Sequence, residues 1–150
     1  MPISSLPSPY GIGSMGKSAF DFIDFLKKAG QSYWQILPIC PPGYGDSPYQ
    51  SFSTYAGNPY MIDLDMLQQD GLLKKKDYRN LNWGDDPEHV DYARIYELRF
   101  RVLRIAFNNA QKGDLTDLNN FVRKNSAWLE NYALYMAVKK SFGMRAWTEW

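Results

Sequence analysis

The sequence predicts an α/β chain: the opening of a parallel strand–helix layer, followed by a largely helical unit. Three observations carry this. An amphipathic pattern over residues 15–30 is followed within three residues by the apolar run YWQILPI, residues 33–39. That order is the second half of a strand–helix–strand unit, and a run apolar almost throughout is the mark of a strand buried on both faces. From Val90 to Gly143, apolar residues recur at threes and fours, the spacing of helix faces. The chain has 150 residues, 45% of them hydrophobic, which is enough for an ordinary core.

Residues 2–14, PISSLPSPYGIGS, read as a loop, because prolines and glycines punctuate the stretch. The chain thus opens inside a connection, which predicts that a strand precedes it in a longer protein. Over residues 15–30, Ala19, Phe22, Ile23, Leu26 and Ala29 fall on one stripe. Ser14 or Ser18 is the expected cap, Lys27 and Lys28 suit the last turn, and Gly30 stops the helix. Pro38 ends the strand. After it, Asn58 and Pro59 start a turn, and Tyr60, Ile62 and Leu64 alternate as a short extended piece. Asp63 or Asp65 then caps a short helix ending near Gly71. Residues 83–89, WGDDPEH, are a loop. A helix over 90–109 carries Tyr92, Ile95, Tyr96, Phe100, Leu103 and Phe107 as its stripe. Asp114 caps another helix through Arg123, and Asn125 or Ser126 opens a last one. That one presents Trp128, Leu129, Tyr132, Leu134, Tyr135 and Val138 and stops near Gly143. The final MRAWTEW carries no closing signal, which predicts that the fold continues.

Composition excludes several function classes. The net charge is +1, with no basic block beyond Lys74–Lys75–Lys76, so nucleic acid is not the expected partner. The Lys74–Lys76 run reads as a solvated helix end. One cysteine, Cys40, allows no internal disulfide, and it reads as a buried thiol. With the single histidine, His89, it makes no metal-ligand spacing, so neither a metal nor another cofactor is expected. No apolar run reaches membrane length, and the start lacks the order of a signal peptide. The expectation is a soluble, cytoplasmic protein without a membrane partner.

The stretch that asks for a function is GYGDSPYQSFS, residues 43–53, at the exit of the predicted strand. In parallel α/β sheets and barrels, ligands bind outside the carboxyl ends of the strands. Tyr44 and Tyr49 offer flat amphipathic faces, and Asp46, Ser47, Gln50 and Ser51 offer groups that bond hydroxyls. Gly43, Gly45 and Pro48 fix the backbone between them. Sugar rings have apolar C–H faces and a rim of hydroxyls, so this is a carbohydrate grip in composition. A structural turn with core tyrosines is the plainer alternative. A phosphate cradle lacks the spaced glycines and the lysine it needs. Serine nucleophile chemistry lacks a placed histidine. Glycoside cleavage needs two carboxylates roughly 5–10 Å apart, and Asp46 is the lone acid of the strand-end loops.

The segments PISSLPSPYGIGSMG, FIDFLKKAGQSYWQILPICPPGYGDSPYQSFSTYAGNPYMIDLD and WLENYALYMAVKKSFG closely resemble the N-terminal part of the 4-α-glucanotransferases. These are also called amylomaltases or disproportionating enzymes, glycoside hydrolase family 77. The middle, residues 67–125, matches in pattern only. The resemblance implies the N-terminal part of a (β/α)8 TIM barrel, with residues 1–62 as its start and 63–150 as a helical inserted subdomain. It implies transfer of α-1,4-glucan segments to an acceptor's 4-hydroxyl by retaining double displacement, on glucans and maltooligosaccharides. The nucleophilic Asp and acid/base Glu are implied beyond Trp150, none in this chain, so the chain alone is expected to be inactive. Tyr49 matches a tyrosine lining the donor subsite, with Ser47 and Gln50 beside it. Tyr44 and Tyr96 match aromatic residues of a second glucan groove. A stand-alone glucan-binding module and a helical interaction module are the alternative readings, and the oligomeric state is left open.

Overall fold

The computed structural model describes residues 1–150 and contains five α-helices joined by long, tightly turned loops. They are α1 (Lys17–Lys28), α2 (Leu64–Gln69), α3 (Tyr92–Ala110), α4 (Thr116–Lys124) and α5 (Ser126–Ser141). Each falls within about two residues of where the sequence reading places a helix, and α3 and α4 run one residue past their expected ends.

The strand over 33–39 is not there. The segment pairs with no other, and the sole β contact is the isolated antiparallel bridge Pro42–Ser51. Tyr33 is 93% exposed and Ile36 is exposed, while Trp34, Leu37 and Ile39 are half-buried. A strand buried on both faces needs a strand at each edge and a helix on each side. Here only α1 is available: Phe22 meets Trp34 edge-on at 4.9 Å. Consistently, Phe20, Ile23 and Phe25 of α1 also face outward.

Two local expectations are corrected by their partners. Neither Ser14 nor Ser18 caps α1, whose N-cap is Gly16. The Ser14 hydroxyl donates to Asp63 Oδ2 at 2.6 Å, and Ser18 donates to the Pro7 carbonyl at 2.8 Å. The Tyr60–Leu64 stretch is not extended. Pro59–Met61 is a 3-10 turn, with Asn58 Oδ1 accepting from the Tyr60 N–H at 2.9 Å. Tyr60 and Leu64 are buried together, and Asp63 caps α2 by accepting from the Met66 N–H.

The main core joins the N-terminal loop to the helical unit across the expected boundary at 62/63. Tyr10 and Ile12 pack with Tyr60, Leu64, Tyr78 and Trp83 against the Ile95, Val102 and Ala106 face of α3. Full burial of Leu64, Ile95 or Val102 stabilises by roughly 1.5–3 kcal/mol each. The stripe of α3 is rotated from its expected axis. Its inner row is Ile95, Arg99, Val102 and Ala106, while Tyr96, Phe100 and Phe107 lie at the edge. Arg99 sits at the centre of that row with 0% exposure, its guanidinium 5.5 Å from the Trp83 ring and donating to the Ile62 carbonyl. Burial pulls its pKa down to about 10, against the pull of the Asp63 charge. A smaller cluster of Ile3, Leu6 and Ala19 seats α1 on the first loop. The Lys74–Lys76 run is exposed, as a solvated turn should be.

Candidate functional site

The loop over 43–53 is closed at its base. Gly43 donates its N–H to the Gln50 carbonyl beside the Pro42–Ser51 bridge. Inside, Asp46 N–H bonds the Gly43 carbonyl at 3.2 Å and Gln50 N–H bonds the Ser47 carbonyl at 3.1 Å. The Ser47 hydroxyl accepts from the Tyr49 N–H at 3.3 Å. Gly45 and Asp46 both take positive φ, +85° and +54°. This backbone is therefore set by the sequence itself, with small hydroxyl residues bonding their own main chain.

The consequence is two tyrosines held outward. Tyr44 is 100% exposed and Tyr49 is 74% exposed. Neither ring belongs to a core cluster of this chain. Gln50 is exposed beside Tyr49, and Ser47 is half-buried. Asp46 is half-buried. It borders a cavity of about 80 Å3 shared with Ser4, Asn58 and Tyr92, and burial pushes its carboxyl above the usual range. Tyr96 lies one turn along α3 from Tyr92, half-exposed, its ring edge-on to Phe100 at 5.2 Å. The structure thus brings the loop to the Tyr92 end of α3. It does not bring the Tyr44 and Tyr96 rings into contact, since Tyr44 is bare. Cys40 is a free, half-buried thiol before the loop. His89 pairs with Asp86 at 2.8 Å on the surface, away from the loop residues.

A second polar cluster escaped the sequence reading. Asp65 accepts from the Tyr10 hydroxyl at 2.8 Å and the Tyr78 hydroxyl at 2.6 Å, with Arg79 at 3.5 Å. Two phenols 55 and 13 residues away converge on a side chain that reads as an alternative helix cap. Burial raises the Asp65 pKa, but the two phenol bonds and the Arg79 charge outweigh it and hold the carboxyl below its usual range. Burial, and then the Asp65 bond, push the Tyr10 phenol well up. The cluster pins the first loop to α2. Asp65→Ala strands two buried phenols, Tyr10 and Tyr78, and is expected to cost at least about 2 kcal/mol in urea denaturation. Because the folded pKa is depressed, this contribution is present above pH ~4 and is lost as pH falls through the folded value. The stability curves of variant and wild type should converge in acid.

No helix is long and apolar enough to cross a membrane. The family model described as 4-alpha-glucanotransferase matches residues 1–150. A 4-alpha-glucanotransferase of Clostridium butyricum is 50% identical over 150 residues, covering 100% of this chain and 31% of the relative. That of Thermus thermophilus is 44% identical, covering 98% of this chain and 29% of its own length. A solved amylomaltase from Streptococcus agalactiae, in complex with acarbose, superposes with a TM-score of 0.95 at 45% identity, over 100% of this chain and 30% of that one. The chain therefore spans about a third of the length of these relatives. With a match that runs from its first residue to its last, the chain belongs to the 4-alpha-glucanotransferase family.

Proposed function

We propose that this chain is the glucan-holding N-terminal part of a 4-α-glucanotransferase. The observation that carries the reading is the self-bonded loop that holds Tyr44 and Tyr49 out to solvent. In this reading residues 1–62 begin a (β/α)8 barrel, and 33–39 pairs as a barrel strand once its neighbours are in place. Residues 63–150 are the helical insertion. The protein works in the cytoplasm on α-1,4-glucans and maltooligosaccharides.

Tyr49 covers one face of the sugar at the donor subsite, and Ser47 and Gln50 bond its hydroxyls. Asp46 supplies a further group for the hydroxyls from the edge of the inner cavity that it borders. The charges that break the bond come from the remainder of the protein. A carboxylate attacks the anomeric carbon while a carboxylic acid protonates the departing 4-oxygen. The acceptor's 4-hydroxyl then returns that proton as the new glycosidic bond forms. Aromatic walls favour transfer over hydrolysis by keeping water from the intermediate.

Incubation with maltotriose tests the reading. The full-length protein is expected to yield glucose together with longer maltooligosaccharides, while the 150-residue chain releases no glucose. Glucose release by the 150-residue chain, or simple hydrolysis by the full-length protein, would overturn it. Tyr44 and Tyr96 are assigned to a second groove that bends the glucan. Tyr44→Ala and Tyr96→Ala are expected to shift the size distribution of cyclic products, with less than about a threefold change in rate on maltotriose. Mass spectrometry of the cyclic products reads this, and an unchanged distribution removes both residues from a groove.

A further inference from the structure

Behind the loop lies an aromatic surface that the proposed sites leave unused. The groove between residues 51–55 and α5 has a volume of about 530 Å3. Tyr55 and Trp128 stack where the two sides meet, ring centres 5.7 Å apart and planes 19° from parallel. Trp128 in turn meets Tyr132 at 6.2 Å. Tyr55 is 72% exposed in this chain, and no residue of it covers the outer face of the stacked pair.

The groove is preorganised. The Ser53 hydroxyl accepts from the Tyr55 and Ala56 N–H groups, both at 3.1 Å, which fixes the turn carrying Tyr55. Phe52 is held from below by Tyr135 at 6.1 Å and by the Lys139 ammonium, 4.8 Å from its ring centre. Lys139 is itself buried and donates to the Arg145 carbonyl at 2.7 Å. Exposed Thr54 and Asn131 border the rings with a hydroxyl and a carboxamide.

Every residue lining the groove is uncharged. That disfavours nucleic acid and other anionic ligands, which need cationic groups. Stacked rings edged by neutral donors and acceptors fit a neutral hexose. The groove is also continuous with the glucan loop, since Ser51 and Ser53 end the segment that carries Tyr44 and Tyr49. We propose that the Tyr55–Trp128 groove is an additional binding surface for neutral α-glucan, which holds a distant part of a long chain whose near part lies on the loop. This rests on the glucan reading above and adds a site to it.

The test uses the full-length protein and two donors, maltotriose and amylose. Tyr55→Ala is the main variant, because an exposed ring can be removed at little cost to the fold. The ratio of the amylose KM to the maltotriose KM is expected to rise about tenfold, and Tyr55→Trp is expected to restore it. Asn131→Ala, which removes only a polar edge, is expected to raise the ratio less, about threefold. In native gels containing amylose, Tyr55→Ala should migrate faster than wild type. An unchanged ratio with unchanged migration overturns the proposal. So does a drop in melting temperature without a change in ratio, which would mean that another part of the protein covers the groove. Absence of transfer by the wild type would instead refute the enzyme reading, and the gel migration would still decide the groove.

Discussion

Tyr49→Ala is expected to lower kcat/KM for transfer from maltotriose by about a hundredfold in the full-length protein, with the fold intact. The fold is spared because Tyr49 is 74% exposed and contributes its ring to no aromatic contact in the chain. Exposed substitutions of this kind usually stay within about 0.5 kcal/mol. The rate is not expected to be spared, because in the proposed function the ring fixes one face of the sugar beside the bond being exchanged. Loose positioning by about an ångström costs on the order of a hundredfold, or about 2.7 kcal/mol of transition-state stabilisation. Tyr49→Phe keeps the face and should recover most of the rate. Steady-state kinetics with a melting-temperature control read both outcomes. Wild-type kinetics in Tyr49→Ala would remove this residue from the donor subsite.

Gly11→Ala is expected to be strongly damaging for so small a substitution, at about 2–5 kcal/mol. Two costs add. Gly11 has a φ of +74°, where an alanine pays roughly 1–2 kcal/mol. Its added methyl would also meet the Trp83 carbonyl, with Ile95 Cδ1 at 2.6 Å. The carbonyl belongs to a buried residue whose indole donates to Tyr78, so it has nowhere to move. Overpacking of this kind costs typically 1–3 kcal/mol. Gly45→Ala is the control, since it shares the positive φ, +85°, but has nothing within 4 Å. It should cost about 1 kcal/mol. Urea midpoints of the two variants measure the difference, and equal midpoints would show that the first loop does not pack on Trp83 as described.

The helices were legible in the sequence because their signals are local. Residues 17–28, 92–110 and 126–141 each carry three- and four-residue spacing that one segment can express by itself. What failed was non-local. The 33–39 run has the composition of a buried strand, but a strand is a pairing, and this chain offers no partner strand for it. Ser14 and Ser18 have the chemistry of caps, yet Asp63 and the Pro7 carbonyl, brought near only by folding, bind them first. Arg99 was invisible as a core residue because periodicity counts apolar side chains, and its burial depends on Trp83 and the Ile62 carbonyl. Asp65 was visible as an acid near a helix start, and the two phenols that converge on it were not. The 43–53 loop was readable because its turn chemistry is its own: Gly45, Ser47 and Ser51 set the backbone locally. Its extension to Tyr55 and Trp128 joins residues 73 positions apart, so no local pattern announced it.

In the proposed function the 43–53 loop holds sugar. The most direct measurement is a crystal structure of the full-length protein with acarbose, the compound bound in the Streptococcus agalactiae relative. A sugar ring is expected against the face of Tyr49, with hydroxyls within hydrogen-bond distance of Ser47 or Gln50. Well-defined acarbose that touches no residue between 43 and 53 would contradict it.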